Sequence, residues 1–310
     1  MRSRTYRVYG LKLCSAVALP CPRIAGPADV TLSIRPRSRR PRSDLEPADW
    51  FRCRRLDDNT THLEWRDLFE FLVSADGRRI ESHRCTGASQ EILLDYLLSQ
   101  VLSFSLLAFG REPLHASAVT VPGGVAAFLG DCGAGKSSLS AAFLRHGHRI
   151  VTDDVLVLER RRGRYFVDPG MPRIKLFPHV ARRVLGVDPN GVRMNPGTAK
   201  QVLGLPPRRV ASRRLPLLAL YLLPRLTRGR RASGRTGIAR LAPSRAVLEI
   251  VRASFNTMVT DRARLARQFR FASDLAARVP VSRLAVPRRL ASLSRVREAI
   301  LTDLAVNRST

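Results

Sequence analysis

The 310-residue sequence predicts an α/β fold with a mixed sheet, extra N-terminal strands and C-terminal helices. Three observations carry that reading. An apolar run from Val125 to Leu129 enters a glycine-rich loop and then a helix-forming stretch that ends at Arg145. A second apolar run, Ile150 to Leu158, follows and contains the adjacent acids Asp153 and Asp154. Ahead of these lie short strand-like segments, and the last 60 residues read mainly as helix. The division expected is 1–110, N-terminal strands with a packing helix, and 111–310, the loop-bearing domain with a helical extension.

Each element has a local cause. Alternation around Tyr6, Val8 and Leu11 suits a strand, and the Pro/Arg-rich stretch from Arg35 to Arg42 reads as loop. Between Thr61 and Glu81 a hairpin is expected, with Phe69, Phe71 and Val73 before an Ala75-Asp76-Gly77 turn and Ile80 after it. Trp50 and Trp65 are read as core anchors. Ser89 opens a buried helix that Gly110 stops. The run from Leu114 to Val121 is a strand, and Pro122-Gly123-Gly124 turns it back into the run before the loop. The turn Arg161 to Arg164 separates the acid-bearing strand from Tyr165-Phe166-Val167, and Leu217 to Leu223 is a core strand. Asp261 caps a helix through Leu265, Phe269 and Leu275; Val281 to Val286 is a strand, and Leu293 to Leu304 a closing helix.

Bulk composition bounds the function. The chain is 45% hydrophobic and 25% charged, which is globular rather than disordered. Its five cysteines are odd in number and include no CxxC, which speaks against a disulfide framework or zinc knuckle and for a reducing, cytoplasmic setting. No uninterrupted run of 18 apolar residues occurs, so no membrane span is expected. Lys12 interrupts the N-terminal apolar run, which reads as a strand rather than an export signal. Net charge is +29, and 50 of the 54 cationic residues are arginine, a bias spread along the whole chain. No zinc finger, RNA-binding repeat or aromatic-interleaved basic platform accompanies it, so nucleic acid is not the expected substrate. An acidic protein or peptide partner suits the charge better, and Arg228 to Arg235 is read as a solvated loop or a docking surface for one.

The chemistry concentrates in Gly130-Asp131-Cys132-Gly133-Ala134-Gly135-Lys136-Ser137-Ser138, which contains G-x-x-x-x-G-K-S. Glycines let the backbone turn its amides toward an anion, and the helix start adds unpaired N–H donors. Lys136 is expected to reach β- and γ-phosphates, and Ser137 to place its hydroxyl on magnesium. Asp153 and Asp154 stand near a strand start, where an acid pair can hold magnesium and orient a nucleophile. Facing opposite ways on a strand, they are expected to do different work. Arg173 and Lys175, in a turn-rich segment, are read either as grips on a transferred phosphate or acidic substrate, or as surface cations.

Taken together, Leu114-His115, the hairpin, Gly130 to Ser138 and Gly147-His148-Arg149-Ile150-Val151-Thr152-Asp153-Asp154 resemble the catalytic domain of bacterial HPr kinase/phosphorylase, whose nucleotide-binding core is similar to that of phosphoenolpyruvate carboxykinase. The resemblance runs firmly from about Pro113 to Leu158. It implies a magnesium- and ATP-dependent serine kinase acting on a protein or peptide, and a homo-oligomer. By the resemblance, His115 assists a neighbouring aspartate, Asp153 is the catalytic base and Asp154 the magnesium-linked carboxylate. Ser138 replaces the family's usual acid, Pro169-Gly170-Met171-Pro172-Arg173 stands where its glycine-rich signature would lie, and the first 90 residues differ from its N-terminal domain. Phosphorolysis and a sugar-transport phosphocarrier substrate are therefore not implied. Two rivals stand beside this reading: a P-loop ATPase or GTPase switch, and a non-catalytic nucleotide-binding module with a basic docking surface.

Overall fold

The computed structural model describes residues 3–35, 49–84, 89–195, 197–224, 236–287 and 289–309. Residues 36–42 of the Pro/Arg-rich stretch and 228–235 of the basic stretch lie outside them. The chain divides into two compact units, Met1–Arg111 and Glu112–Thr310.

In the first unit, β1 (Arg4–Val8), β2 (Leu11–Ser15), β3 (Val30–Arg35), β4 (Phe51–Arg55), β5 (Thr61–Trp65), β6 (Phe69–Val73) and β7 (Arg79–Arg84) form one sheet, ordered β1-β2-β3-β7-β6-β5-β4. Period-two burial explains it: Phe69, Phe71 and Val73 face inward while Glu70 and Leu72 are partly exposed. The β6–β7 turn is closed by Asp76, whose carboxylate accepts from the Ser74 hydroxyl at 2.6 Å and the Arg78 amide at 3.0 Å. Trp65 is buried against Phe51, Phe69, Phe71 and Tyr96, ring centroids 4.6 to 5.9 Å away. Trp50 departs from the core-anchor expectation, being 41% exposed.

Helix α1 (Gln90–Ala108) starts at Ser89, whose hydroxyl accepts from the Ile92 amide, and widens into a π-type turn over Leu97–Val101. Counting uninterrupted apolar residues underrated it. Between its apolar residues stand small serines such as Ser99, which returns its hydroxyl to the Asp95 carbonyl at 2.6 Å, beside Asp95 and Gln100. The helix is therefore long and apolar enough to cross a membrane by length and composition, although 78% of that window is buried within the protein, as in a core helix.

The second unit is a mixed α/β layer structure. Its main sheet runs β10 (Ile150–Leu156), β8 (Leu114–Val121), β9 (Gly124–Leu129), β16 (Leu215–Leu222), β12 (Arg164–Val167), β11 (Leu158–Arg161). β18 (Val281–Ala285) joins β16 in parallel and carries β17 (Gly237–Arg240). The β8–β9 hairpin turns through Gly123 at φ +82°, and β16 then lies parallel to β9. Gly124 lets β16 approach, since a Cβ there would stand 2.4 Å from the Pro216 carbonyl.

Alternation along β9 defines the two layers. Ala126 and Phe128 face α2 (Lys136–Arg145) and the closing helix α5 (Leu293–Ser309), in a core containing Leu139, Phe143, Val296 and Ile300. Val125, Ala127 and Leu129 face the other way, with Ile250 of α3 (Pro243–Arg252) and Ala272 and Leu275 of α4 (Arg262–Arg278). Both faces of β9 are covered, which is why it reads as a continuous apolar run. Asp261 caps α4 as expected, accepting from the Arg264 amide at 2.9 Å, but Leu265 and Phe269 are exposed.

One segment read as turn is partly strand. β13 (Arg173–Leu176) pairs with β15 (Gln201–Gly204), which also pairs with β14 (Val192–Arg193). All four residues of β13 are buried. Proline and glycine in the preceding residues masked a strand too short to show a period.

Candidate functional site

The glycine-rich loop joins β9 to α2. Gly130, Gly133 and Gly135 have φ of +144°, +84° and +100°, a left-handed succession that side-chain-bearing residues rarely adopt. A Cβ on Gly130 would also meet Ala134 and Leu223 at 3.2 and 3.3 Å. Asp131, Cys132 and Gly133 are exposed at the tip, Ala134 and Gly135 are half-buried, and Ser137 and Ser138 stand half-buried in the first turn of α2. Lys136 is buried and folds back, its Nζ donating to the carbonyls of Gly130 at 2.6 Å and Asp131 at 3.1 Å. Burial pushes its pKa down, against Asp154, Cys132 and Asp153, which favour the charged form.

The acid pair lies within β10 rather than at its start. In the antiparallel register with β8, Asp153 is opposite Ser117, Asp154 opposite Ala116 and Val155 opposite His115. Asp153 is 2% exposed. Its Oδ1 accepts from the Ser137 hydroxyl at 2.9 Å and from the Ser117 hydroxyl, and its Oδ2 from the Lys175 amide at 2.8 Å. Three donors from three elements fix this carboxylate in place.

Asp154 would face away with Ala116 in a regular strand. Its φ is +99°, a strained value for a non-glycine residue, and the strand is braced where Thr152 donates its hydroxyl to the Val155 carbonyl at 2.6 Å. The carboxylate meets His115 Nδ1 at 3.2 Å, Lys175 Nζ at 2.8 Å and, farther off, Arg173 Nη2 at 3.9 Å. Burial acts to raise its pKa, but Lys175, His115 and Arg173 outweigh it and hold the carboxyl well below the usual range.

These distances pair the residues differently from the roles that the resemblance implies. His115 contacts Asp154 rather than Asp153, because the unusual Asp154 backbone turns its side chain to the histidine. Ser137 is joined to Asp153 rather than Asp154, because Asp153 keeps the orientation of a regular strand residue, toward Ser117 and α2. Arg173 and Lys175 are buried, and Lys175 holds both acids at once, by its amide and its ammonium; neither is a loose surface cation.

Sequence reading missed Ser117, Thr152 and a support behind His115. The His115 amide donates to the Ala253 carbonyl at 2.6 Å, and its ring lies 5.5 Å edge-on from Phe255. Arg264 holds that segment, donating to the carbonyls of Phe255 (2.6 Å), Asn256 (2.5 Å) and Val259 (2.6 Å). A buried arginine in a helix otherwise rich in exposed arginines leaves no mark in composition.

Chemically, the site gathers hard oxygen donors at Asp153 and Ser137, a histidine–carboxylate pair at His115 and Asp154, and cations at Lys136, Lys175 and Arg173. No protein-family model matches the chain, and no curated protein does. Among solved structures, the Hpr(Ser) kinase/phosphatase from Coxiella burnetii is similar at 13% identity and a TM-score of 0.37, over 64% of this chain and 99% of that one.

Proposed function

We propose that the chain is an ATP-dependent serine kinase that transfers the γ-phosphoryl group to a hydroxyl on a protein or peptide. The observation that carries this reading is the division of the acid pair: Asp153 bonds the Ser137 hydroxyl beside the glycine-rich loop, while Asp154 bonds His115. A carboxylate held by an imidazole can orient an attacking hydroxyl, and formation of a labelled peptide separates a serine acceptor from water.

In this reading the loop amides and Lys136 bind the phosphates, Lys136 leaving the carbonyls of Gly130 and Asp131 to do so. Ser137 and Asp153 fit magnesium, since a hard cation of this kind takes few protein oxygens and completes its shell with phosphate and water. Bound there, it would neutralise charge on the transferring phosphoryl group. Asp154 accepts the hydrogen bond of the acceptor serine, with His115 and Lys175 fixing the carboxylate. Its depressed pKa makes it a weak base, which suffices where the transition state is loose and the hydroxyl needs orienting more than deprotonating. Arg173 and Lys175 supply positive charge beside the reacting group. These roles reverse the Asp153 and Asp154 assignments implied by family resemblance.

The test is incubation of the protein with γ-labelled ATP and a pool of serine-bearing peptides, read by mass spectrometry. Phosphoserine that requires Lys136 and Asp154 supports the reading. Rapid ATP hydrolysis with no labelled peptide favours the ATPase, and no use of either ATP or GTP leaves the binding module.

A further inference from the structure

Helix α4 packs with its polarity reversed. Arg264 and Gln268 are buried, whereas Leu265 and Phe269, each one position further on, are exposed, Phe269 by 62%. Burying leucine and phenylalanine is among the larger gains open to a fold, and α4 forgoes it at two positions one turn apart. Arg262, Ala266 and Arg270 are exposed as well, and they share a face with that apolar pair, because residues three and four apart are neighbours on a helix. The charge on this face is uncompensated. Glu112 takes Arg264 and Arg267, and Asp274 takes Arg278. Arg262 and Arg270 meet no carboxylate among the described residues.

Short contacts tie this face to the histidine–carboxylate pair. Arg264, the residue before Leu265, donates to the carbonyls of Phe255 and Val259, both at 2.6 Å, and the Phe255 ring lies edge-on to His115. The Phe255 amide in turn donates to the Pro113 carbonyl at 2.9 Å, next to Glu112 and just ahead of β8. Met258, within the clamped segment, is exposed too. The first turns of α4 thus stand beside the strand that carries His115.

An apolar pair flanked by unpaired arginines complements a chain that sets large apolar side chains among Asp or Glu. A second copy of this helix would bring arginine against arginine, in a protein of net charge +29, which disfavours it. A lipid surface calls for a broader apolar face than two side chains.

We propose that the Arg262–Arg270 face of α4 docks the acceptor, a peptide or protein segment in which apolar residues stand among acids, held beside the serine that reaches Asp154. The proposal rests on the kinase reading above, and the docking is measured without catalysis. Fluorescence anisotropy of the full chain, without nucleotide, tests it with a labelled serine peptide carrying Glu beside Leu and Phe. A matched peptide with Lys in place of Glu is the control. The variants are Leu265→Ser/Phe269→Ser and Arg262→Gln/Arg270→Gln, with melting temperatures taken alongside. Wild type is expected to prefer the acidic peptide, and each pair of substitutions to weaken that binding about fivefold or more without lowering the melting temperature. In turnover the loss appears in the peptide KM, with kcat and the KM for ATP held within about twofold. Equal binding by the variants, or equal binding of the two peptides, overturns the docking face and leaves the kinase reading in place. So does a wild-type dimer, or binding to anionic phospholipid vesicles, that Leu265→Ser/Phe269→Ser abolishes while peptide binding stays. Acidic-peptide binding that the substitutions weaken, with no transfer from Mg·ATP, keeps the docking face and overturns the kinase reading.

Discussion

His115 Nδ1 lies 3.2 Å from Asp154 Oδ1, while the adjacent Asp153 turns to Ser137 at 2.9 Å. Neighbouring acids of a strand thus reach different partners, and in the proposed reading they serve opposite ends of one reaction centre. Asp153→Asn keeps the size of the side chain but removes the charge that, in the proposed reading, holds magnesium with Ser137. Mg·ATP affinity is expected to fall about tenfold, with magnesium-free ATP binding little altered. Calorimetry with and without magnesium checks it; equal loss in both conditions would contradict the role.

His115→Ala removes the group that orients Asp154 and leaves the glycine-rich loop intact. We expect kcat to fall about 10- to 100-fold, the low end of acid–base contributions, with KM for ATP within about twofold. Steady-state kinetics on the labelled peptide separates the two parameters. A rise in KM alone would place His115 in nucleotide binding instead.

The depressed Asp154 pKa fixes the sign of a pH effect. Burial opposes the shift, and Lys175, His115 and Arg173 together overcome it. A folded-state value below the unfolded one means that the stabilisation is present above the unfolded pKa of about 4 and is lost as pH falls through the folded value. Wild type should therefore melt higher than Asp154→Asn near neutral pH, with the gap closing below about pH 4. Parallel melts from neutral to acid pH check it. A gap that widens with acid would contradict the ion-pair account.

Ser117 donates to Asp153, and Thr152 bridges to the Val155 carbonyl across the acid pair. Ser117→Ala removes one of three donors to Asp153, and about 1–2 kcal/mol of stability is expected to go with it. Thr152→Val removes the brace across Asp153 and Asp154 and should reduce kcat more than stability, because the strained Asp154 backbone can then relax. Denaturant melts and kinetics on both variants decide the matter.

Much of the fold was legible because it rests on local signals. The Asp76 turn, the Ser89 and Asp261 caps, and the continuous apolar run of β9 each announce their element. The loop was legible for the same reason, since its glycines and Lys136 are contiguous. What the sequence hid depends on backbone departures and distant partners. Nothing in Thr152-Asp153-Asp154 announces φ +99°, so the His115–Asp154 contact is not legible there. Arg173 and Lys175 looked like loop cations because β13 is four residues long and finds its partner strand some 28 residues later. Trp50 departs from the expectation that a large aromatic side chain is buried, and among the described residues Trp65 is the tryptophan with rings packed around it.

Arg264 is a buried charge of the second unit, 2% exposed, with Glu112 at 3.5 Å and three carbonyls around its guanidinium. Burial lowers its pKa, and Glu112 counters that. Arg264→Leu leaves Glu112 and those carbonyls short of a donor, and a loss of about 3–5 kcal/mol is expected. Hydrogen exchange should rise in the Ala253–Val259 segment that backs His115. Unchanged protection there would contradict the clamp.

The most direct test of the central claim is single-turnover transfer from Mg·ATP to a serine peptide by Asp154→Asn, with ATP affinity measured on the same sample. Asp154 acting on the acceptor predicts transfer slowed about 100-fold or more with affinity within about twofold of wild type. Transfer at the wild-type rate, or a loss confined to ATP affinity, would contradict it.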